Sequence, residues 1–412
     1  MFKSSKLIII TAFMFCLLML MGSVSAADLT VNSNTSHKDI TDWINNGTTV
    51  SGNNLIFNVS SYELSDTLLL TKSVNIKSDK KTQINFNQNK NMFNVSANEI
   101  NFSGLVLNHN GKGSYDLPVS TIFAPIPAKT ITIKDTTINL RNDYSSAISI
   151  GTGKCNFINS QIIGNGIYNY GVVALDINVN FQKSSIIFNN NYGYGVYIYD
   201  KLTGDFTNTK IILQSGSIGI SSPVWSGNFI SNSEITGKSN SYGIYVSKWN
   251  GKISSSKIIL SGGVSWGVHA KNAIATISKS TIHVKNGMAV YVSKGVKVSE
   301  SSAISKKNVP GVYYIGPRVN ILRISSTTKS KVYTFKISNI GESKSKVSQL
   351  KISVGKFKKT AKVKGINVGN VITVKVTLPA KYATSKTKKT ANIIFDNSAG
   401  KKEVSPSLVF RF

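Results

Sequence analysis

An isoleucine returns about every 24 residues through the middle of this chain, and few folds accommodate that beat. Ile138, Ile162, Ile186, Ile211, Ile235, Ile258 and Ile282 sit at equivalent places in phrases such as Ser160-Gln-Ile-Ile-Gly164 and Ser256-Lys-Ile-Ile-Leu260. A second phrase keeps the same time, a small residue followed by an apolar one: Ala147-Ile148, Gly171-Val172, Gly195-Val196, Gly219-Ile220, Gly243-Ile244, Gly267-Val268, Ala289-Val290 and Gly311-Val312. A third ends each repeat on Phe157, Phe181, Phe206, Phe229, Ile253, Ile277 or Val298. Self-similarity at a fixed period of roughly 20–50 residues marks stacked repeats.

Each repeat holds three short runs of alternating polarity divided by Asn, Gly, Ser and Lys. Period-two alternation between turn formers means strands. Three strands per repeat, with no segment long enough for a crossover helix, predict an all-β, single-stranded parallel β-helix. Residue i then lies over residue i+24 at the inter-strand spacing of ~4.8 Å. Columns such as Ile148/Val172/Val196 and Ile150/Ala174/Ile198 are expected to face inward.

Along the chain, residues 1–26 read as a secretory signal. Lys3 and Lys6 precede an apolar run from Leu7 to Met21, and Val24-Ser25-Ala26 offers a cleavage site, leaving no transmembrane anchor once cut. The β-helix is expected over 27–316. It opens with a capping helix near 36–46, because Ser36, Asp39, Ile40, Trp43 and Ile44 have helical spacing and a capping serine. A Gly/Pro-containing stretch between Asn110 and Lys129 should loop out, and Asn34, Asn46, Asn58, Asn94 and Asn101 begin Asn-x-Ser/Thr triplets. From 317 to 412 the 24-residue beat stops, and short Lys-rich strands predict an immunoglobulin-like β-sandwich. Cys155 is the lone cysteine after the leader, so a large repetitive core rather than crosslinking holds an exported chain together.

The coil phrases, the helix-then-coil start and the export signal resemble the adhesin-like, right-handed parallel β-helix surface proteins of methanogenic archaea, which implies a right-handed coil here. Tyr333-Thr-Phe-Lys-Ile-Ser-Asn-Ile-Gly341, with Val371–Val376 and Ala391–Asp396 after it, is similar to the CARDB-type cell-adhesion sandwich. The resemblance implies a secreted, surface-exposed protein that binds or scaffolds, and brings no catalytic motif with it.

Carboxylates are sparse in the coils. Asp176 and Asp200 stand five residues after successive glycines, so they are expected to be neighbours about 5 Å apart. That pair is the one candidate for a polysaccharide lyase or hydrolase, since acid/base chemistry needs paired groups. Like charges at that spacing would raise one pKa or recruit a cation, or Lys201 and Lys248 in the same turn column would neutralise them; no cofactor and no metal cluster is expected. The outward residue two after each small residue reads Val173, Tyr197, Ser221, Tyr245, His269, Tyr291 and Tyr313, and the rings among them (Tyr197, Tyr245, His269, Tyr291 and Tyr313) make a ladder on which a polysaccharide or another surface ligand could stack. The outward middle of the isoleucine phrase, with Ile163, Ile187, Ile212 and Ile259, gives an apolar stripe.

Charge is the remaining signal. The chain carries +30, from 48 Lys and Arg against 18 Asp and Glu. Lys356, Lys358, Lys359, Lys362, Lys364, Lys386, Lys388 and Lys389 crowd the C-terminal domain and predict affinity for a polyanion. With an export signal and no nucleic-acid motif, an anionic cell-envelope polymer is the expected partner rather than nucleic acid. Three functions remain: a surface adhesin-like protein, a carbohydrate-active enzyme using Asp176 and Asp200, or a non-binding envelope component.

Overall fold

A computed structural model describes residues 28–46, 52–125, 129–293, 295–305, 307, 311–314, 316–317, 319–326, 331–339, 341, 343–384, 387–396, 402–405 and 407–411. The expected signal segment, the Asn46 side chain and Lys386 lie outside them. By contacts the chain forms two compact units, Met1–Ser222 with Ile230–Gly237, and Pro223–Phe229 with Lys238–Phe412. The coils make a parallel β-solenoid of about 11 turns.

In the first unit the isoleucine column is continuous. Ile84, Leu107, Ile138, Ile162, Ile186, Ile211 and Ile235 pair in parallel register, one above the next. None is more than 1% exposed. Each side chain so buried contributes about 1.5–3 kcal/mol, so the column alone is a large share of the core. A second inward column runs Leu55, Ile76, Phe102, Ile133, Phe157, Phe181 and Phe206. Its last three rings stack face to face, 4.3 Å and 5.3 Å apart. The second unit repeats the arrangement with Ile244, Val268, Val290 and Val312, and with Ile253, Ile277 and Val298.

Two of the three runs in a coil fuse. Tyr170–Gln182 is one 13-residue strand, and Ser145–Ile158 one of 14, each carrying the post-glycine run and the phenylalanine run together. The isoleucine run stays separate as a four-residue strand such as Ser185–Phe188. Alternation slips once inside the fused strand: Leu175 and Asp176 both avoid the core between buried Ala174 and Ile177. That double step turns a corner without breaking the ladder. In the first coils the runs remain apart, as in Leu68–Leu70 and Val74–Lys77.

The other corners use left-handed backbone. Asp135, Asn159, Lys183, Asn208, Ser255, Lys279 and Glu300 have φ between 47° and 51°, and the coil between Asn208 and Ser255 turns the same corner on Ser231 and Asn232, φ 57° and 63°. A serine or threonine follows each. Ser160 Oγ donates toward the carbonyls of Ile133 (3.0 Å) and Ile158 (2.8 Å), while accepting the Thr136 N–H at 3.2 Å. Ser184 takes the Ser160 N–H at 3.1 Å, and Ser280 takes that of Ser256 at 3.2 Å. Buried backbone groups that a tight corner would orphan are thereby satisfied.

Helix α1 (His37–Asn46) lies before the first full coil. Ser36 Oγ accepts the Asp39 N–H, and the Asp39 carboxylate accepts the Ser36 N–H at 2.8 Å, a reciprocal cap with aspartate in the usual glutamate place. Its apolar face buries Ile40 and Ile44.

After the coils, two antiparallel sheets form a small sandwich. Val319–Ser326, Val332–Asn339 and Val371–Thr377 make one sheet. Ser348–Val354, Phe357–Val363, Lys389–Asp396, Lys402–Val404 and Leu408–Phe410 make the other. Tyr333, Phe335, Ile337, Leu350, Ile352 and Ile393 fill the space between them.

Candidate tyrosine surfaces of the coils

Gly171 and Gly195 begin their strands where no side chain fits. A Cβ on Gly171 would lie 2.3 Å from the Gly195 carbonyl oxygen, and one on Gly195 2.4 Å from that of Gly219. This close approach locks the register of the residues on either side, so Tyr170 stands over Tyr194 and Val173 over Tyr197. The Tyr170 and Tyr194 rings stack at 5.0 Å. Tyr197 meets Tyr194 edge-on at 5.2 Å and Tyr199 edge-on at 5.0 Å. Tyr199 is 60% exposed. Burial pushes the phenols of Tyr170, Tyr194 and Tyr197 above the ordinary tyrosine value, and neighbouring phenols add to it. These hydroxyls therefore remain neutral hydrogen-bonding groups throughout the physiological range.

Tyr197 thus belongs to a cluster whose other members the sequence reading passed over. Tyr170 and Tyr194 occupy the place just before the glycine, a column with the same 24-residue beat as the one chosen. Tyr242 and Trp266 stand at that place in the second unit.

There the expected ladder exists as a stack. Tyr245 and His269 are 4.7 Å apart, His269 and Tyr291 5.3 Å, and Tyr291 and Tyr313 5.1 Å, with planes within 16° of parallel. The rings spend their faces on one another, and Trp266 packs against both His269 and Tyr291. His269 and Tyr291 are buried, at 3% and 8% exposure, whereas Tyr245 keeps 38%. An open ladder of ring faces is therefore corrected to a closed stack with an accessible edge at Tyr245. Elsewhere in this unit, stacked Trp225 and Trp249 line a cleft of about 510 Å³ with Ile274 on its rim.

The carboxylate pair is also corrected. The register shifts between Ala174 and Asp176, so Asp176 pairs with Lys201 and not with Asp200. The cause is one extra residue in this coil: Ile186 pairs with Ile211 and Phe181 with Phe206, 25 apart instead of 24, and a bulge absorbs the surplus. Among the described residues, no group of three or more His, Cys, Asp or Glu could hold a metal ion.

Lys356, Lys358, Lys359, Lys362, Lys364 and Lys388 are exposed. Three of them lie on Phe357–Val363, which pairs with Ser348–Val354 and forms one edge of its sheet. Lysine on an edge strand deters pairing with other chains, so these charges have a structural use whatever else they contact. Lys389 departs from the expectation. It is fully buried, its ammonium donating to the carbonyls of Thr384 (2.7 Å) and Thr387 (3.0 Å) beneath the Tyr333 and Phe410 rings. It cannot meet a polymer from that position.

The outward isoleucines Ile163, Ile187 and Ile212 are in register and half-buried. Asn101, first of its Asn-x-Ser triplet, spends its amide nitrogen on Asn75 at 2.9 Å, inside an amide ladder that continues to Asn54. Asn34 and Asn58 are exposed. Among the described residues, no helix is long and apolar enough to cross a membrane.

No family model and no curated protein matches the sequence. Among the solved structures that align with the chain are tailspike proteins. The tailspike protein of Acinetobacter phage vB_ApiP_P1 aligns over 94% of this chain and 80% of its own, at 11% identity and a TM-score of 0.33. A double mutant of the tailspike protein of E. coli bacteriophage HK620 aligns over 84% and 90%, at 9% identity and a TM-score of 0.31. By its own geometry the chain is a parallel β-solenoid with tyrosine-faced coils and a lysine-edged sandwich.

Proposed function

We propose that this is an exported, surface-associated adhesin-like protein. Its coils bind an extended glycan, and its basic C-terminal domain associates with an anionic envelope polymer. The observation that carries the reading is the cluster of Tyr170, Tyr194, Tyr197 and Tyr199, held in place by glycines that admit no Cβ. Aromatic surfaces with neutral hydroxyls suit sugars, which offer an apolar C–H face and a rim of hydroxyl groups. Coil spacing repeats that chemistry along the solenoid, so several weak contacts act on one chain.

The test is adhesion of the purified full chain to immobilised polysaccharides and to whole cells. Tyr197→Ser combined with Tyr199→Ser is expected to weaken binding at least tenfold, a loss of about 1.4 kcal/mol or more that truncated aromatic anchors commonly reach. Replacing Tyr245, the accessible edge of the stack, by Ser measures the second unit's share. Adhesion that survives both sets of changes would remove the tyrosines from the mechanism. The export half is checked by sequencing the amino terminus of secreted protein, with a start near Ala27 expected.

A further inference from the structure

A second tyrosine column adjoins the first and was not singled out by sequence. Tyr144, Tyr168 and Tyr192 stack at 5.1 Å and 5.0 Å. Their backbones are left-handed, with φ of 53°, 54° and 61°. That conformation costs a non-glycine residue roughly 1–2 kcal/mol. One coil further the same place is Gly216, φ 72°, where a Cβ would strike the Tyr192 ring at 2.6 Å. Glycine is thus the unstrained solution at this corner, and three coils carry a bulky aromatic there instead. Strain of this kind gathers at functional surfaces.

Tyr168 and Tyr192 lie two residues before Tyr170 and Tyr194, so the two columns stand side by side. Tyr115, 79% exposed, sits on a loop pinned at both ends to the corner that carries Tyr144: the Gly113 N–H donates to the Asp143 carbonyl at 3.1 Å and the Val119 N–H to that of Tyr144 at 3.2 Å. Together Tyr115, Tyr144, Tyr168, Tyr170, Tyr192, Tyr194, Tyr197 and Tyr199 are eight of the chain's 16 tyrosines.

The charges around them run against the rest of the chain. Within two residues of these eight tyrosines stand three carboxylates, Asp116, Asp143 and Asp200, and one ammonium, Lys201. Elsewhere the chain is strongly cationic, 48 basic residues to 18 acidic overall. Asp143 is itself paired with Lys112 at 3.6 Å. The adjoining corner is amide-rich: Asn189 donates to Asn165 at 2.8 Å, and Asn190 and Asn191 are exposed beside Tyr192.

We infer that these eight tyrosines form one platform for an uncharged polysaccharide, with Tyr115 contributed by the neighbouring loop. The inference rests on the glycan-binding reading above and adds the ligand's charge class and the residues that grip it. A polyanion would find no cluster of lysines here, since Lys112 is paired with Asp143 and Lys201 stands beside Asp200. A neutral chain meets ring faces, phenol hydroxyls and amides, the groups that match its C–H faces and hydroxyls.

The experiment is calorimetry on the full chain with cellohexaose, mannohexaose and polygalacturonate as probes, at low salt and at ~0.5 M salt. Two variants are chosen to keep the fold: Tyr115→Ser, on an exposed loop, and Tyr192→Asn, since asparagine tolerates left-handed backbone. At least one neutral hexasaccharide is expected to bind with an affinity that salt changes less than twofold. Each variant is expected to weaken it about tenfold while the melting temperature holds. Neutral-sugar binding that both variants leave intact would overturn the platform. Polygalacturonate binding that both variants abolish would overturn the charge class while leaving tyrosine-mediated glycan binding standing. Failure of all three probes on the unaltered chain would overturn both.

Discussion

His109 is sealed among the early coils. One ring nitrogen is 2.9 Å from the Lys90 carbonyl, the other 3.4 Å from the Thr121 hydroxyl, and Phe86 packs on the ring. Burial lowers its pKa to about 4, with the Lys90 carbonyl opposing that shift. Because the folded value lies below the unfolded value of 6.5, the unfolded chain binds the proton more readily. This contribution is complete above about pH 6.5 and is lost as pH falls through 4, on the order of 3 kcal/mol in all. Melting scans should show the fall, and His109→Gln should flatten that part of the profile. At Cys155 burial pushes the thiol up to about 12, and the side chain has no exposure. Native protein at ~pH 8 is expected to resist thiol reagents until denaturant opens the coils.

Among elements, the corners decide how long the solenoid can run without a gap in its hydrogen bonding. Ser160→Ala removes the hydroxyl that the Thr136 N–H donates to and that donates to the Ile133 carbonyl, while the Ile158 carbonyl keeps the Asp135 N–H at 3.0 Å. A loss of about 1–3 kcal/mol in denaturant titration is expected. Lys183, φ 50°, offers the opposite experiment. Lys183→Gly should raise stability by roughly 1 kcal/mol, because glycine accepts that backbone without strain. The strands were legible because Ile138 through Ile282 and their companions repeat in type as well as in place. The left-handed corners were not, since Asp135, Asn159, Lys183, Ser255 and Glu300 share a conformation and no side-chain chemistry. The site divides the same way. Tyr197 and Tyr245 stood out beside their glycines, while Tyr144, Tyr168 and Tyr192 fill corners where a small residue was the physical expectation. The Asp176–Asp200 pairing failed because counting from a glycine cannot reveal on which side of the count a bulge falls.

For the whole molecule, stability follows from repetition, each coil resting on the two beside it. Ile244→Asp should therefore speed amide exchange in its own and adjacent coils while Val332–Asn339 keeps its protection; uniform acceleration throughout would contradict the neighbour-only picture. Charge acts at this scale too. Reversing Lys358, Lys359 and Lys362 to Glu should lower the salt needed to elute the chain from heparin, and leave binding of neutral sugars untouched.

The bulge opposite Asp176 has a use beyond correcting a count. A turn that takes up a surplus residue on its outside, and returns Leu202 and Phe206 to their inward columns, is a ready splice point. A short hydrophilic peptide inserted after Asp200 would be displayed at a defined height, its two ends anchored to a wall that does not notice the addition.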